Sequence, residues 1–215
     1  MNTETPDPEL EELINRFDGG DDSALADLFA YYRERLRRIV RFRLNYRLAG
    51  RISESDVIQD GYISAAKRIE HYRKKPEMPF FVWLRLMINQ QLTDLHRQHL
   101  QAEMRDVRKE VSLQPAISPH TSLAIAAHLV ANGSSPSLAL SRVEKISVLE
   151  KALNQMEPLD REVIALRHFE ELSNSEVAQV LDINIQAASK RYVRAIQRMK
   201  QILAQVDGYG NEGQS

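Results

Sequence analysis

Leu172-Ser173-Asn174-Ser175-Glu176-Val177-Ala178-Gln179-Val180-Leu181-Asp182-Ile183-Asn184-Ile185-Gln186-Ala187-Ala188-Ser189-Lys190-Arg191-Tyr192-Val193-Arg194-Ala195-Ile196-Gln197-Arg198-Met199 decides the fold. Ser173 with Glu176 three residues later is a capping box, so a short helix starts there and ends near Leu181. Asp182 to Asn184 is a turn, and Asn184 caps a second helix from Ile185 to about Leu203. On that helix Ala188, Tyr192, Ala195, Ile196, Met199 and Leu203 form one apolar stripe. Lys190, Arg191, Arg194, Arg198 and Lys200 lie largely off it, with no acid between Ile183 and Lys200. A cationic face without acids repels itself unless an anion lies against it, and backbone phosphate is the usual partner. Short helix, tight turn and long basic helix are helix-turn-helix grammar. In that geometry Gln186, Ala187, Ser189 and Lys190 reach base edges, while Arg191, Arg194 and Arg198 hold phosphates.

Working outward, residues 142–206 read as a compact helical domain, with helices near Val143–Met156 and Pro158–Phe169 before the motif. Residues 102–141 read as a long flexible linker, because Pro115, Pro119, Pro136, Gly133 and several serines break chains and build poor cores. Its apolar run Leu123–Val130 is expected as an isolated helix that packs on something. Residues 8–101 read as a second helical domain. A helix near Pro8–Phe17 ends at Gly19-Gly20, and the next runs from Ser23 toward Gly50 with Leu25, Leu28, Phe29, Tyr32, Leu36, Ile39 and Val40 on one stripe. A third starts at Ser53 or Ser55, and a fourth spans Phe80 to about Gln101 after the loop His71–Pro79. Strand periodicity is absent, so the expected fold is all-α: two small helical domains joined by a long flexible linker.

Composition narrows the class. The 215 residues contain no cysteine, which removes disulfides and thiolate metal sites and fits a cytoplasmic protein. No apolar run reaches the roughly 18 residues that span a bilayer, and the acidic start MNTETPDPELEE is unlike a secretory signal. Net charge is −1, so any nucleic-acid argument rests on where charges sit. The segment Tyr31–Arg51 carries eight arginines against Glu34, and Phe80, Phe81, Trp83, Arg85, His96 and Arg97 interleave aromatics with cations, a pattern suited to single-stranded nucleic acid. For Trp83 alone a core position is the better expectation. His96 and His99 beside Asp94 lack a third clear ligand, and no catalytic signature occurs, so neither metal, cofactor nor enzyme activity is expected.

Three segments then match one family. Ser55-Asp56-Val57-Ile58-Gln59-Asp60-Gly61-Tyr62, Phe80-Phe81-Val82-Trp83-Leu84 with Asp94-Leu95-His96-Arg97, and the Leu172–Ala195 motif resemble signatures of the extracytoplasmic-function group of bacterial RNA polymerase sigma factors, in the family's order. The resemblance covers roughly Leu25–Leu203 apart from the linker. It implies that Asp56, Gln59 and Asp60 dock on core RNA polymerase. The fourth helix and the His71–Pro79 loop would grip the non-template strand of the minus-ten element, with one base flipped into a pocket. The helix-turn-helix would read the minus-thirty-five element of promoter DNA, and the linker would thread toward the RNA exit path. It also implies an anti-sigma partner. The chain departs from the pattern at Asn89, one residue early, at Asp182 where glycine is usual, and at Ala188 where a larger apolar residue is usual. The other reading of the residues is a conventional dimeric helix-turn-helix regulator with an N-terminal sensor or dimerisation domain.

Overall fold

The computed structural model describes residues 7–45, 48, 50–100, 120–132 and 141–206. The expectations for 102–119 and 133–140 lie outside these residues, as does that for the His99 side chain. Among the described residues every regular element is helical.

Helix α1 (Pro8–Asp18) starts on Asp7, whose carboxylate accepts from the Glu9 amide at 3.1 Å, with Pro8 at the first position. Gly20, at φ +88°, reverses the chain. The single helix expected from Ser23 is instead a pair, α2 (Ser23–Tyr31) and α3 (Arg33–Arg43), broken at Tyr32 (ψ 0°). The break lets the Tyr32 ring pack on Phe81, with ring centres 5.0 Å apart. Helix α3 stops at Arg43, where Leu44 becomes extended. Ser53 caps α4 (Glu54–Lys74), and α5 (Phe80–Leu100) follows the proline-bounded loop. Gly61 lets these two helices approach: a Cβ there would run into Ile88 Cδ1.

Helix α6 (Thr121–Asn132) corrects the picture of a flexible linker across this stretch. Ile125 and Ala126 are fully buried in a cluster with Phe42, Ile146, Leu149, Leu153, Phe169 and Met199. The helix is apolar on most sides, so it is stable only when covered, and α3 and α7 (Arg142–Leu153) cover it. Helix α8 (Pro158–Ile164) runs into a wide π turn, Ala165–Phe169. The capping box on Ser173 and Glu176 opens α9 (Asn174–Leu181), with both bonds present. Asp182 takes the left-handed conformation (φ 53°, ψ 49°), and Asn184 Oδ1 accepts from the Ala187 amide at 2.7 Å to start α10 (Ile185–Gln205).

The two halves do not stand apart as separate bodies. One apolar core contains Leu36, Phe81, Leu84 and Ile88 from the first half and Val163, Leu166, Leu172, Val177, Leu181 and Ala188 from the second.

Candidate nucleic-acid and protein interface

Two surfaces and one largely buried set emerge once each side chain's partners are traced. The first is the outer side of α10. Ala188, Ala195, Met199 and Ile202 are buried and fix the helix orientation. Gln186, Lys190, Arg194, Arg198 and Lys200 are exposed, and Ala187 and Ser189 half-exposed. Among the described residues these four cations make no ion pair, so the positive row faces solvent. Arg191 differs: its guanidinium donates to Asp160 at 2.6 Å and contacts Glu157 at 3.4 Å, tying α10 to the start of α8. Ile185 and Val193, both more than half exposed, add apolar surface that sequence reasoning passed over. Their place off the buried stripe was the available signal.

The second surface is the outer side of α4. Asp56, Gln59 and Asp60 are all exposed there, one helical turn apart, while Val57 and Ile58 point into the core. Neither aspartate has an ion pair among the described residues, although α3 carries arginines nearby in sequence. Ile63, 42% exposed, lies three to four residues further along α4 and extends this patch with an apolar side chain.

The third set requires correction. Phe80, Phe81, Trp83, Arg85 and His96 are each 7% exposed or less, so they form no open stacking platform in this arrangement. Trp83 stacks on Tyr72 at 4.6 Å, Phe80 packs on Phe17 at 4.9 Å, and the Arg35 guanidinium covers Phe81 at 3.7 Å. The aromatic cluster instead shapes the preceding loop, because the Tyr72 hydroxyl donates to the Met78 carbonyl at 2.8 Å. Burial raises the Tyr72 pKa to about 12, so the hydroxyl remains a donor. His96 Nε2 accepts from the Asn45 amide at 3.2 Å, which closes the end of α3. Of the six, Arg97 alone is at the surface, paired with Asp94 at 3.0 Å.

Five of the six arginines of α3 are likewise occupied. Arg35 holds Glu176, Arg37 holds Glu34, Arg38 holds Glu171 and Arg41 holds Glu54. Arg43 is buried in a group no sequence argument found. Its Nη2 lies 2.5 Å from Glu162 Oε1 and its Nε 2.5 Å from Glu170 Oε1. Arg85 Nε lies 2.7 Å from Glu170 Oε2, and Thr121 Oγ1 lies 2.6 Å from Glu162 Oε2. Burial opposes charge on Arg43, yet Glu162 and Glu170 overcome it and raise its pKa. Burial pushes the Glu170 carboxyl up, but Arg43 and Arg85 more than offset this and hold it below its ordinary range. Among the described residues no cluster of metal-ligating side chains occurs, and no helix is long and apolar enough to cross a membrane.

Comparison with known proteins gives one consistent result. A family profile described as "ECF sigma factor" matches residues 7–205. The ECF RNA polymerase sigma factor SigW of Bacillus subtilis (strain 168) is 22% identical over 195 residues, covering 90% of this chain and 96% of that protein. The solved structure of CnrH in complex with the cytosolic domain of CnrY aligns with a TM-score of 0.50 at 20% identity, covering 91% of this chain and 96% of that one. That likeness shows the shared fold.

Proposed function

The chain belongs to the ECF sigma factor family, and from that premise we propose how its surfaces divide the work. As a sigma factor it binds core RNA polymerase and directs promoter recognition and transcription initiation; such a protein is an initiation factor, not an enzyme.

The exposed Asp56, Gln59 and Asp60 form the polymerase-docking face, with Ile63 as an apolar neighbour that loses water on contact. Residues 142–206 carry the helix-turn-helix, in which α9 braces α10 against duplex DNA at the minus-thirty-five element. Gln186, Ala187, Ser189 and Lys190 read base edges from the first turns of α10, and Arg194 and Arg198 hold phosphates. Arg191 acts one step back, fixing the helix through Asp160. Residues 8–101 serve the minus-ten element. There Arg97 and the loop before α5 meet the unpaired strand, while Phe80, Phe81 and Trp83 support that loop from beneath. Residues 102–141 join the halves. The protein works in the cytoplasm, associated with the nucleoid when on polymerase. CnrH is in complex with the cytosolic domain of CnrY, and the family reading gives this chain an anti-sigma protein as its antagonist.

The observation that carries the reading is the pairing of two unneutralised surfaces of opposite sign, acidic on α4 and basic on α10, in a chain matched by the family over residues 7–205. The test is capture of core RNA polymerase by the wild type and by Asp56→Ala/Gln59→Ala/Asp60→Ala. The triple variant is expected to retain its helicity and lose at least tenfold in affinity. A wild type that ignores polymerase and shifts palindromic duplex DNA as a dimer would overturn the reading in favour of a conventional regulator.

A further inference from the structure

Between α3, α6 and the π turn, four aromatic rings meet. Phe42, near the end of α3, stacks on Phe169, with ring centres 4.7 Å apart and planes 7° from parallel. His128 of α6 stands edge-on to Phe169 at 4.9 Å, and the His168 ring is perpendicular to Phe169, also at 4.9 Å. The backbone is irregular at this point. The Glu170 amide donates to the Ala165 carbonyl, five residues back, at 2.9 Å, and Glu171 takes a positive φ of 56°. Wide turns of this kind, and positive φ at residues other than glycine, concentrate at functional sites. Here they set His168, Phe169 and Glu171 around one cavity of about 470 Å³.

The cavity has two chemically distinct parts. Phe42, Leu129 and Phe169 form the apolar part. Arg38 and Arg41, one turn apart on α3, form the polar part with His128, His168 and Glu171. The volume falls within the roughly 300–1,000 Å³ of small-molecule sites. A planar ring suits the apolar part, because rings gain from stacked and edge contacts beyond the area they bury. An anion suits the polar part, where two guanidiniums face one carboxylate. Arg38 with Glu171 and Arg41 with Glu54 are pairs at the surface, with side chains 31% to 66% exposed. Exposed pairs hold weakly, so a ligand anion can share their donors. Burial, and then the charge of His168, lower the pKa of His128. An anion between the two imidazoles relieves that repulsion. Phosphate fits better than carboxylate, since a phosphate monoester brings roughly two negative charges and three acceptor oxygens to these four donor side chains.

We propose that this cavity binds a mononucleotide, with the base against Phe42 and Phe169 and the phosphate held by Arg38, Arg41 and His168. The site shares no residue with the acidic face of α4 or the cationic row of α10, so it is independent of the sigma-factor reading. Calorimetry on the full-length protein tests it with adenosine monophosphate and guanosine monophosphate, beside adenosine, guanosine and inorganic phosphate. At least one nucleotide is expected to bind one-to-one with a dissociation constant below about 1 mM. Its nucleoside, and phosphate alone, are expected to bind at least tenfold more weakly. In the histidine ring-proton spectrum, the resonances of His128 and His168, assigned through His128→Gln and His168→Gln, are expected to shift on saturation. That of His71, exposed on α4, should stay in place. Leu129→Trp fills the cavity from a half-buried position, and Arg38→Gln/His168→Gln removes two donors. Each is expected to keep its helicity by circular dichroism and to weaken binding at least tenfold; where one loses helicity, the other carries the comparison. Failure of both nucleotides to bind, equal affinity for phosphate alone, shifts confined to other histidines, or binding that the folded variants leave intact overturns the proposal.

Discussion

His96 shows how much a single side chain's role depends on what surrounds it. In the sequence it stands among cations and invites a nucleic-acid or metal reading; in the fold it is a neutral acceptor closing the end of α3. Burial, with His120 adding to it, lowers its pKa to about 4. The folded state therefore disfavours the charged form more than the unfolded chain does, where the value is near 6.5. This contribution is fully present above pH 6.5 and is lost as pH falls toward 4, at a cost of about 3 kcal/mol. Unfolding free energies from urea titrations at pH 7 and pH 4.5 should differ by most of that amount more in the wild type than in His96→Gln; an equal difference in the two would show that His96 is not buried neutral. The arginines of α3 make the same point. Counting them predicts a basic surface, but each of five meets a glutamate, and three of the five meet one more than a hundred positions away. Sequence distance hides such pairs.

At the scale of elements, local rules perform well where the backbone itself is the partner. Both bonds of the Ser173–Glu176 box and the Asn184 cap are present because each satisfies amides within three residues. Asp182 is the one strained link between α9 and α10, at φ 53° in a region that favours glycine. Asp182→Gly should therefore stabilise the protein by roughly 0.5 kcal/mol, a rise of about 1–2 °C in Tm. A fall would mean that the Asp182 side chain has an unrecognised partner. Elements shaped by remote contacts are less legible. The break at Tyr32 follows from a ring on another helix, and α6 looks like linker because its flanks are rich in proline and serine while its own apolar surface needs cover from α3 and α7.

The whole molecule behaves as one cooperative unit, because the principal core draws from both halves. Trp83, the single tryptophan, sits in the first half, and Leu166, fully buried, sits in the second. Leu166→Ala should destabilise by about 3 kcal/mol. Its denaturation midpoint should move equally by Trp83 fluorescence and by far-UV circular dichroism. A fluorescence midpoint left in place while helicity melts early would show that the halves unfold independently.

The sequence by itself determined the all-α class, most helix starts, the turn after Leu181 and the apolar and cationic sides of α10. Each of these follows from contacts within one or two helical turns. Tertiary structure alone decided that Phe80 and Phe81 lie beneath the loop before α5, that α6 belongs to the core, and that Arg43 and Arg85 meet Glu162 and Glu170. The physical reason is that a charged or aromatic side chain has no fixed preference for surface or interior. Its place depends on whether a partner from a distant segment satisfies it there, and local periodicity carries no record of that partner.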